Sequence, residues 1–481
     1  MKRFYLTTPI YYASGKPHLG HAFTTIYADV IARYKRNDGF EVFFSTGMDE
    51  HGAKIAEKAK NEKKNPQAYV DELAKVYLDN WKKLEISFDE FIRTSSPQHE
   101  KSVLEFIKRI YEKGDLYEAN YEGFYCVGCE GFIDKDKLVN GLCPDHLIQP
   151  ELVKEKNYFF NLKKYLPVVK EKIITGEILI VPEARKNEIL KMIDENIPDF
   201  SITREKVKWG IPFPYDKNQT VYVWVDALVN YLSAVGFPDN KFKDFWPADL
   251  HIIGAEINKF HSIFWPAMLL SANLPLPRKI FVHGLFTVNG QKMSKTLGNV
   301  IDPNIIFEKF GEAVRYLVLS QFPAEFHGDI KENDFLEKYN SDLADGVGNT
   351  FERIAALIYP EKSLLIEGIV DKPLEPSLEK LRISYRQHME NYELFNALHD
   401  VLNFTKDVDR YINLEKPWTI TDNGKKKLVL SSLNSAVKEI IYSLEPFLPT
   451  KMDLAKSYFA DILNNSNLSE RKKLGLFPKL K

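Results

Sequence analysis

Two short groups of basic residues, far apart in the chain, have the chemistry needed to hold a polyphosphate. The first is the run 18–21 (His-Leu-Gly-His) and the second is the run 292–295 (Lys-Met-Ser-Lys). Imidazoles three residues apart, where a loop enters a helix, can donate to an anion that the helix N-terminus already favours. Two ammonium groups after a flexible turn can close over that anion. Because attack at phosphorus needs positioning and charge neutralisation, the pattern predicts a nucleotide-phosphate site.

The elements around the first group predict a parallel sheet. Residues 4–8 read as a strand, a Pro/Gly/Ser loop follows, and the apolar residues from Phe23 to Tyr34 have the spacing of one helix face. Residues 41–45 read as the next strand, which completes a βαβ unit. The loop after the first strand then lies at the carboxyl edge of the sheet, where such folds bind ligands. Further strands are predicted at 222–225, 250–254 and 280–284, and helices from about residue 345 to the end.

The stretch 8–21 (Thr-Pro-Ile-Tyr-Tyr-Ala-Ser-Gly-Lys-Pro-His-Leu-Gly-His), with the lysine run, resembles the class I aminoacyl-tRNA synthetases, and most of all their methionyl family. The resemblance implies an α/β fold: a Rossmann-like parallel sheet split by a connective insertion with a zinc knuckle, then an all-α anticodon-binding bundle. The domains expected on this basis are a first catalytic half (1–115), the insertion (116–204), a second catalytic half (205–300), a stem-contact linker (301–345) and the helical anticodon-binding domain (346–481).

The resemblance also assigns roles to individual residues. Catalysis falls to His18, His21, Lys292 and Lys295, and ATP binding to Gly20, Gly254, Glu256 and Ser294. The family usually has Lys-Asp where this chain has Ala255-Glu256, and Glu256 can still accept bonds from ribose hydroxyls. Asp49 matches the residue that meets the ammonium group of the amino acid. Arg204 resembles an arginine that moves near the substrate.

The segments 222–231 and 251–270 resemble the two that form the methionine pocket. Aromatic edges suit a thioether, and two side chains, Tyr231 and His261, can donate weak hydrogen bonds to sulfur. The alternative is that these aromatic residues are ordinary sheet core. By motif, the side-chain pocket is lined by Ile10, Tyr12, Trp224, Ala227, Leu228, Tyr231, Ile257, Phe260 and His261.

All three cysteines lie in one short window. Cys126 and Cys129 form a C-x2-C pair, and Cys143 with His146 forms C-x2-H, which predicts one structural, tetrahedral zinc site in a reducing compartment. Asp145 can replace His146 as the fourth ligand, and three inert cysteines are the alternative to a metal site.

The predicted helical tail contains three residues that resemble the family's anticodon-reading elements. Asn349, Arg353 and Trp418 have the chemistry to read a CAU anticodon by edge hydrogen bonds and stacking. The alternative is that the Asn and Arg are ordinary surface residues and that the Trp belongs to the core. With 65 basic and 67 acidic residues, the whole chain has no electrostatic signature of nucleic-acid binding, so any RNA surface must be local.

The N-terminus reaches Pro9 before a signal-peptide apolar region can form, and residues 260–277, although uncharged, read as buried protein rather than a membrane span. We therefore expect a cytoplasmic enzyme without membrane contact. The sequence ends without the extra C-terminal tRNA-binding domain that makes some relatives dimeric, so a monomer is expected.

The function implied is methionine–tRNA ligation with ATP, Mg²⁺ and tRNA(Met) as reactants and partners, and one structural Zn²⁺. A sibling synthetase for leucine, isoleucine or valine is one alternative, although residues 116–204 leave no room for its editing insertion. A cysteinyl enzyme would place a cysteine before the first motif, and none precedes Cys126. The third alternative is a non-catalytic tRNA-binding paralogue.

Overall fold

The computed structural model describes residues 2–126, 131–133, 138–144, 147–195, 197–288, 290–292, 300–464 and 471–481. Contacts between residues divide the chain into two compact units. The first comprises Met1–Pro17, Lys35–Asn80 and Ser87–His283, and the second comprises His18–Tyr34, Trp81–Ile86 and Gly284–Lys481.

A parallel sheet forms the centre of the first unit. The strands within its described ranges are β1 (Arg3–Tyr12), β2 (Glu41–Asp49), β3 (Glu90–Arg93), β4 (Leu116–Cys126), β5 (Gly131–Ile133), β6 (Glu151–Phe160), β7 (Leu179–Val181), β8 (Phe200–Ser201), β9 (Thr203–Arg204), β10 (Thr220–Val221), β11 (Leu250–Gly254) and β12 (Lys279–His283). Six of them pair in the order β3-β2-β1-β11-β12-β7, all parallel. Four others pair antiparallel as β5-β4-β6-β8, and β9 pairs with β10.

Helices connect these strands, as the βαβ pattern predicts. The fourth helix has a clear start signal: Ser96 accepts the backbone N–H of His99 (3.3 Å), Pro97 occupies the first turn, and a buried apolar face follows. The helices up to residue 283 are α1 (Leu19–Asn37), α2 (Ala53–Asn61), α3 (Pro66–Lys83), α4 (Pro97–Glu112), α5 (Leu166–Ile174), α6 (Glu183–Asp194), α7 (Val223–Leu228), α8 (Asn230–Ser233) and α9 (Trp265–Ser271).

The strand expected at 222–225 is wrong, because the chain forms helix α7 there. Strand β10 ends at Val221, and Asp226 donates its backbone N–H to the carbonyl of Tyr222 (3.0 Å). Nearly every side chain of α7 is buried, so the apolar residues of the segment have no spacing that distinguishes a helix from a strand. Its β-branched residues then favoured the prediction of a strand.

The uncharged stretch from residue 260 is internal to the first unit, as expected. It begins with a π-helical turn, Phe260–Phe264, and continues as α9, whose side chains are almost all buried. None of the helices that the structure describes combines the length and apolarity needed to cross a membrane.

The second unit is mainly helical, which confirms the helical C-terminal region, although helices begin before residue 345. Its described part has one small sheet of β13 (Phe286–Val288), β14 (Gln291–Lys292) and β15 (Gly328–Ile330). A π-helical segment, Tyr339–Gly348, leads into the C-terminal bundle. The helices are α10 (Pro303–Phe310), α11 (Val314–Leu319), α12 (Glu332–Lys338), α13 (Asn349–Ile358), α14 (Glu375–Glu390), α15 (Leu394–Glu415), α16 (Asn423–Leu444) and α17 (Pro449–Asn464).

A fully buried guanidinium joins distant segments of the second unit. Arg315 donates to Asp29 in α1 (2.6 Å) and to the backbone carbonyls of Leu84 (2.8 Å) and Phe447 (2.9 Å). Arg33 donates to the same Asp29 oxygen (2.8 Å). Both members of the Arg315–Asp29 pair are 0% exposed, so each buried charge is compensated by the opposite charge of the other residue.

Replacing Arg315 with Met should strongly destabilise the protein, because it leaves the Asp29 carboxylate and the carbonyls of Leu84, Pro446 and Phe447 without their buried donor. The expected loss is about 3–5 kcal/mol in the free energy of unfolding, measured by urea denaturation. Arg382→Met is the matched control, since Arg382 forms exposed ion pairs with Glu379 and Glu439, for which the expected loss is below about 1 kcal/mol. Equal losses in both variants would contradict the importance of the buried network.

Candidate active site

The first histidine motif lies where the sequence predicts, at the start of α1. The backbone N–H of His18 donates to Nδ1 of His21 (3.3 Å), and that of Gly20 donates to Nδ1 of His18 (3.1 Å). The two rings stack with centroids 3.7 Å apart. Because both Nδ1 atoms accept hydrogen bonds, each neutral ring has its proton on Nε2. The pair therefore offers two N–H donors beside a helix N-terminus, which suits an anion.

The lysine motif is described only in part. The backbone of Lys292 lies in β14 and pairs with Thr287 in β13. Gly290, in the turn before it, has a φ of 76°, a conformation that glycine adopts without strain. The side chain of Lys292, and all of Ser294 and Lys295, lie outside the described residues.

The ends of the central strands bring the predicted amino-acid residues to one edge of the sheet. Tyr12, at the end of β1, is in register with Asp49, at the end of β2, and Ile10 is in register with Gly47. Pro9 has no N–H to give to the sheet, and the register shifts between Thr7 and Ile10. Asp49 is 8% exposed, whereas Ile10 and Tyr12 are half-buried. A carboxylate at this edge can meet an ammonium group.

Two aromatic rings that are predicted to line the side-chain pocket, from separate segments, contact each other. Trp224 in α7 stacks on Phe260 with centroids 4.0 Å apart and planes 7° from parallel. Both rings are half-buried. The other predicted residues of the same segments are buried or half-buried: Ala227, Leu228 and Ile257.

Tyr231 and His261 are buried and bonded to each other. The Tyr231 hydroxyl and Nε2 of His261 are 2.6 Å apart, and Nδ1 of His261 lies 3.0 Å from the carbonyl of Ile257. A carbonyl cannot donate, so Nδ1 carries the proton and Tyr231 donates to Nε2. Burial lowers the pKa of His261 to about 4, which keeps the ring neutral. In this arrangement neither side chain has a proton left to donate to sulfur.

The predicted ribose-contact residue lies beside the end of β11. A Cβ atom at Gly254 would come within 2.8 Å of the Glu256 carboxylate, so glycine leaves the space that this carboxylate occupies. Glu256 is exposed and can accept hydrogen bonds from hydroxyl groups.

Arg204 lines a cavity of about 260 Å³ together with His51, Trp209 and Tyr222. Its guanidinium lies 3.7 Å from the centroid of the Tyr222 ring and donates to the Ser201 hydroxyl (2.9 Å). The described residues of the predicted side-chain pocket do not line this cavity.

Two of the four expected zinc ligands are described. Cys126 ends β4, and Cys143 follows a tight turn in which Asn140 and Gly141 both have positive φ; both cysteines are buried. Cys129, Asp145 and His146 lie outside the described residues. Among the residues that are described, no group of three or more His, Cys, Asp or Glu could hold a metal ion.

The expected anticodon residues lie in the second unit. Asn349, at the start of α13, is exposed, and Trp418 is 60% exposed. The Arg353 guanidinium donates to Asp409 (2.7 Å) and to Asn413 (2.8 Å), both in α15. Trp418 therefore belongs to the surface, which contradicts the alternative that it is core.

Sequence reasoning missed a buried polar group behind the pocket. Asp226 in α7 is 0% exposed and lies 2.6 Å from Nδ1 of His51 and 2.7 Å from Nε2 of His99. Asp226 lies inside the segment 222–231 that the sequence singled out, and His51 lies two residues after Asp49, but partners far apart in sequence leave no local signal.

Comparison with known proteins identifies the family of this chain. Residues 4–355 match the family model described as tRNA synthetases class I (M), and residues 371–453 match that of the anticodon-binding domain of tRNA ligase. The methionine–tRNA ligase of Thermotoga maritima is 42% identical over 471 residues, which cover 95% of this chain and 75% of that protein. The chloroplastic/mitochondrial enzyme of Arabidopsis thaliana is 41% identical over 92% of this chain and 73% of its own.

A solved structure is similar over the whole length. Mycobacterium tuberculosis methionyl-tRNA synthetase in complex with methionyl-adenylate has a TM-score of 0.91 at 32% identity and covers 99% of this chain and 100% of its own. The chain therefore belongs to the class I tRNA synthetases, in the methionyl family.

His261 should make the protein sensitive to acid. Its folded pKa of about 4 lies below the value of 6.5 for a free imidazole, so the unfolded state binds more protons and stability falls as the pH drops from 6.5 towards 4. The variant His261→Gln has no imidazole to take up a proton on unfolding, so this loss of stability should be absent in it. Between pH 7 and pH 5 the wild type should lose about 2 kcal/mol more than the variant, measured by urea denaturation. Parallel losses in the two proteins would contradict a buried, neutral His261.

Proposed function

We propose that this chain is a methionine–tRNA ligase. It activates methionine with ATP to methionyl-adenylate and pyrophosphate, and then transfers methionine to the 3′-terminal adenosine of tRNA(Met). The observation that carries the proposal is the buried Tyr231–His261 pair beside the Trp224–Phe260 stack, in a chain of the methionyl family. An unbranched thioether fits a site of aromatic edges.

The activation step needs charge neutralisation rather than covalent help from the protein. The methionine carboxylate attacks the α-phosphorus of ATP, the bond to the bridging oxygen breaks, and pyrophosphate leaves. The Nε2–H groups of His18 and His21 donate to the phosphates, with Lys292 and Lys295 as the proposed counter-charges and Ser294 as a further donor. Mg²⁺ bound to ATP supplies additional neutralisation of phosphate charge.

The remaining contacts orient the two substrates. Asp49 receives the methionine ammonium, since a carboxylate at the sheet edge is the complementary charge. Glu256 accepts bonds from the adenosine ribose, and Gly20 and Gly254 permit close approach to the backbone. Arg204 lies near the reacting carboxylate. In the second step the ribose hydroxyl of the tRNA attacks the carbonyl carbon of the adenylate and AMP leaves.

The anticodon contact is proposed for the surface that carries Asn349, Arg353 and Trp418. An exposed indole can stack on a splayed base, which is how proteins usually read single-stranded RNA loops. The contacts of Arg353 with Asp409 and Asn413 fix the guanidinium, so that its planar face and remaining N–H groups are presented in one orientation.

The decisive experiment is ATP–pyrophosphate exchange with each of the twenty amino acids, without tRNA. Exchange should depend on methionine, with homocysteine as a weaker substrate, because a pocket discriminates one methyl group by only about 1–3 kcal/mol. Exchange with leucine, isoleucine or valine instead would make the chain a sibling synthetase. No exchange with any amino acid would favour the non-catalytic tRNA-binding paralogue.

Two histidine variants separate chemistry from stability in the same assay. His21→Ala should lower methionine-dependent exchange at least about 100-fold, the scale of losing one preorganised transition-state donor. His399→Ala is the control, because His399 is an exposed histidine of α15 in the same unit and should exchange like the wild type.

We also propose one structural zinc ion held by Cys126, Cys129, Cys143 and His146. Two buried thiols, one of which directly follows a tight turn, suit a closed tetrahedral site. A site whose four positions are all filled by protein stabilises the insertion without taking part in the reaction. We further propose that the protein is a monomer in the cytoplasm and has the five domains expected from the sequence.

Metal analysis of the purified protein should find one zinc per chain, and Cys126→Ser should abolish it. His146→Ala and Asp145→Ala form a matched pair that identifies the fourth ligand. Loss of zinc in the histidine variant alone supports His146, and loss in the aspartate variant alone assigns the position to Asp145. Full retention of zinc in Cys126→Ser would overturn the site.

A further inference from the structure

Three structural elements of the first unit meet at one buried carboxylate. Asp226 belongs to α7, His51 follows the end of β2, and His99 lies in the first turn of α4. The carboxylate oxygens lie 2.6 Å from Nδ1 of His51 and 2.7 Å from Nε2 of His99. All three side chains are buried, and His99 is 0% exposed.

The two imidazoles are the donors that make this carboxylate stable as a charge. Burial opposes ionisation, but the hydrogen bonds and charges of His51 and His99 outweigh it, and the pKa of Asp226 is lowered. Burial likewise opposes a charge on His51, but Asp226 outweighs it and the pKa of His51 is raised. The other nitrogen of His99 lies 2.8 Å from the Ser233 hydroxyl, which fixes the plane of the ring.

The carboxylate belongs to the helix that carries residues proposed to bind the amino acid. In α7, Ala227 follows Asp226 directly and Trp224 lies two residues before it, so any movement of this helix moves these two pocket residues. His51 is two residues from Asp49, the proposed ammonium ligand. The Asp226–His51 contact therefore sets the distance between the ammonium site and the side-chain pocket.

The loop that carries His51 is held from a second side. Trp209 donates its indole N–H to the carbonyl of Glu50 (2.5 Å) and accepts the backbone N–H of Gly52 at its own carbonyl (3.0 Å). The His51 loop therefore has supports other than Asp226. Helix α7 is only six residues long and has no side-chain cap, so it depends more on the Asp226 contacts.

We propose that His99 is a positioning residue for amino-acid recognition: by donating Nε2–H to Asp226 it holds α7, and with it the side-chain pocket, at a fixed distance from the ammonium site. The proposal rests on the methionine-activating function proposed above. His99 touches neither substrate. Without its donor, the buried carboxylate has one partner fewer and moves towards His51 or the neighbouring cavity, and α7 moves with it.

Two amide variants of His99 separate positioning from stability. Glutamine places its N–H₂ where Nε2 lies and keeps the donor to Asp226, whereas asparagine places it where Nδ1 lies and keeps only the partner for Ser233. In methionine-dependent ATP–pyrophosphate exchange, His99→Asn should raise the KM for methionine at least about tenfold, the equivalent of 1.4 kcal/mol. His99→Gln should stay within about threefold of the wild type, which corresponds to about 0.7 kcal/mol. The KM for ATP should be unchanged in both.

Ile107→Ala is the stability control, because it removes buried apolar contacts from the same helix about two turns away and touches no polar group. It should lower the melting temperature without raising the KM for methionine. If His99→Asn does not fold, Asp226→Asn tests the same link from the other side and should show the same selective rise in KM.

The outcomes separate this proposal from the function on which it rests. A wild type that shows no exchange with methionine rejects the proposed function. If the wild type does exchange, two results overturn the positioning role and leave the function intact. One is an equal KM for methionine in His99→Asn and His99→Gln, and the other is a KM for ATP that rises as much as the KM for methionine.

Discussion

The parallel register of the central sheet is the constraint on which the site depends. Because the carboxyl ends of parallel strands meet at one edge of a sheet, Tyr12, Asp49 and Gly254, from three separate parts of the chain, come to lie at that edge. Each of these strands is buried and forms hydrogen bonds to its neighbours, and the edge cannot deform without breaking the sheet. A rigid edge of this kind is what substrate positioning requires, because small displacements of reacting groups are costly.

Two groups of buried polar side chains in the first unit form connected sets of hydrogen bonds. Tyr231 donates to His261, and His261 donates to a carbonyl, so neither of these two side chains has an unmatched proton to offer to a ligand. Asp226 is held in the same way by two imidazoles. Such sets lose a great deal of free energy when one member is removed, since the others stay buried without a partner.

Much of this could be read from the sequence, and the exceptions have physical causes. The first strand, the helix that follows His18, and the strand at 250–254 are confirmed because their patterns are local. The helix at Val223–Leu228 was missed because burial on all sides removes periodicity. The link between His99 and Asp226 could not be predicted, since 127 positions separate two residues that meet only through tertiary folding. For the same reason the contacts of Arg353 with Asp409 and Asn413 in α15 could not be predicted from the sequence.

The Arg315 network has a consequence for how the chain is made. Asp29 is synthesised early, its partner Arg315 follows much later, and the Phe447 carbonyl that completes the set comes near the end. A ribosome therefore releases α1, with Asp29 and its neighbour Arg33, long before Arg315, the fully buried partner of that carboxylate, exists. During that interval Asp29 has to remain hydrated, so the second unit cannot close around it until translation is almost finished, whereas every strand of the large sheet is available once residue 283 has emerged. The order of synthesis thus makes the catalytic sheet the first part of the molecule able to fold.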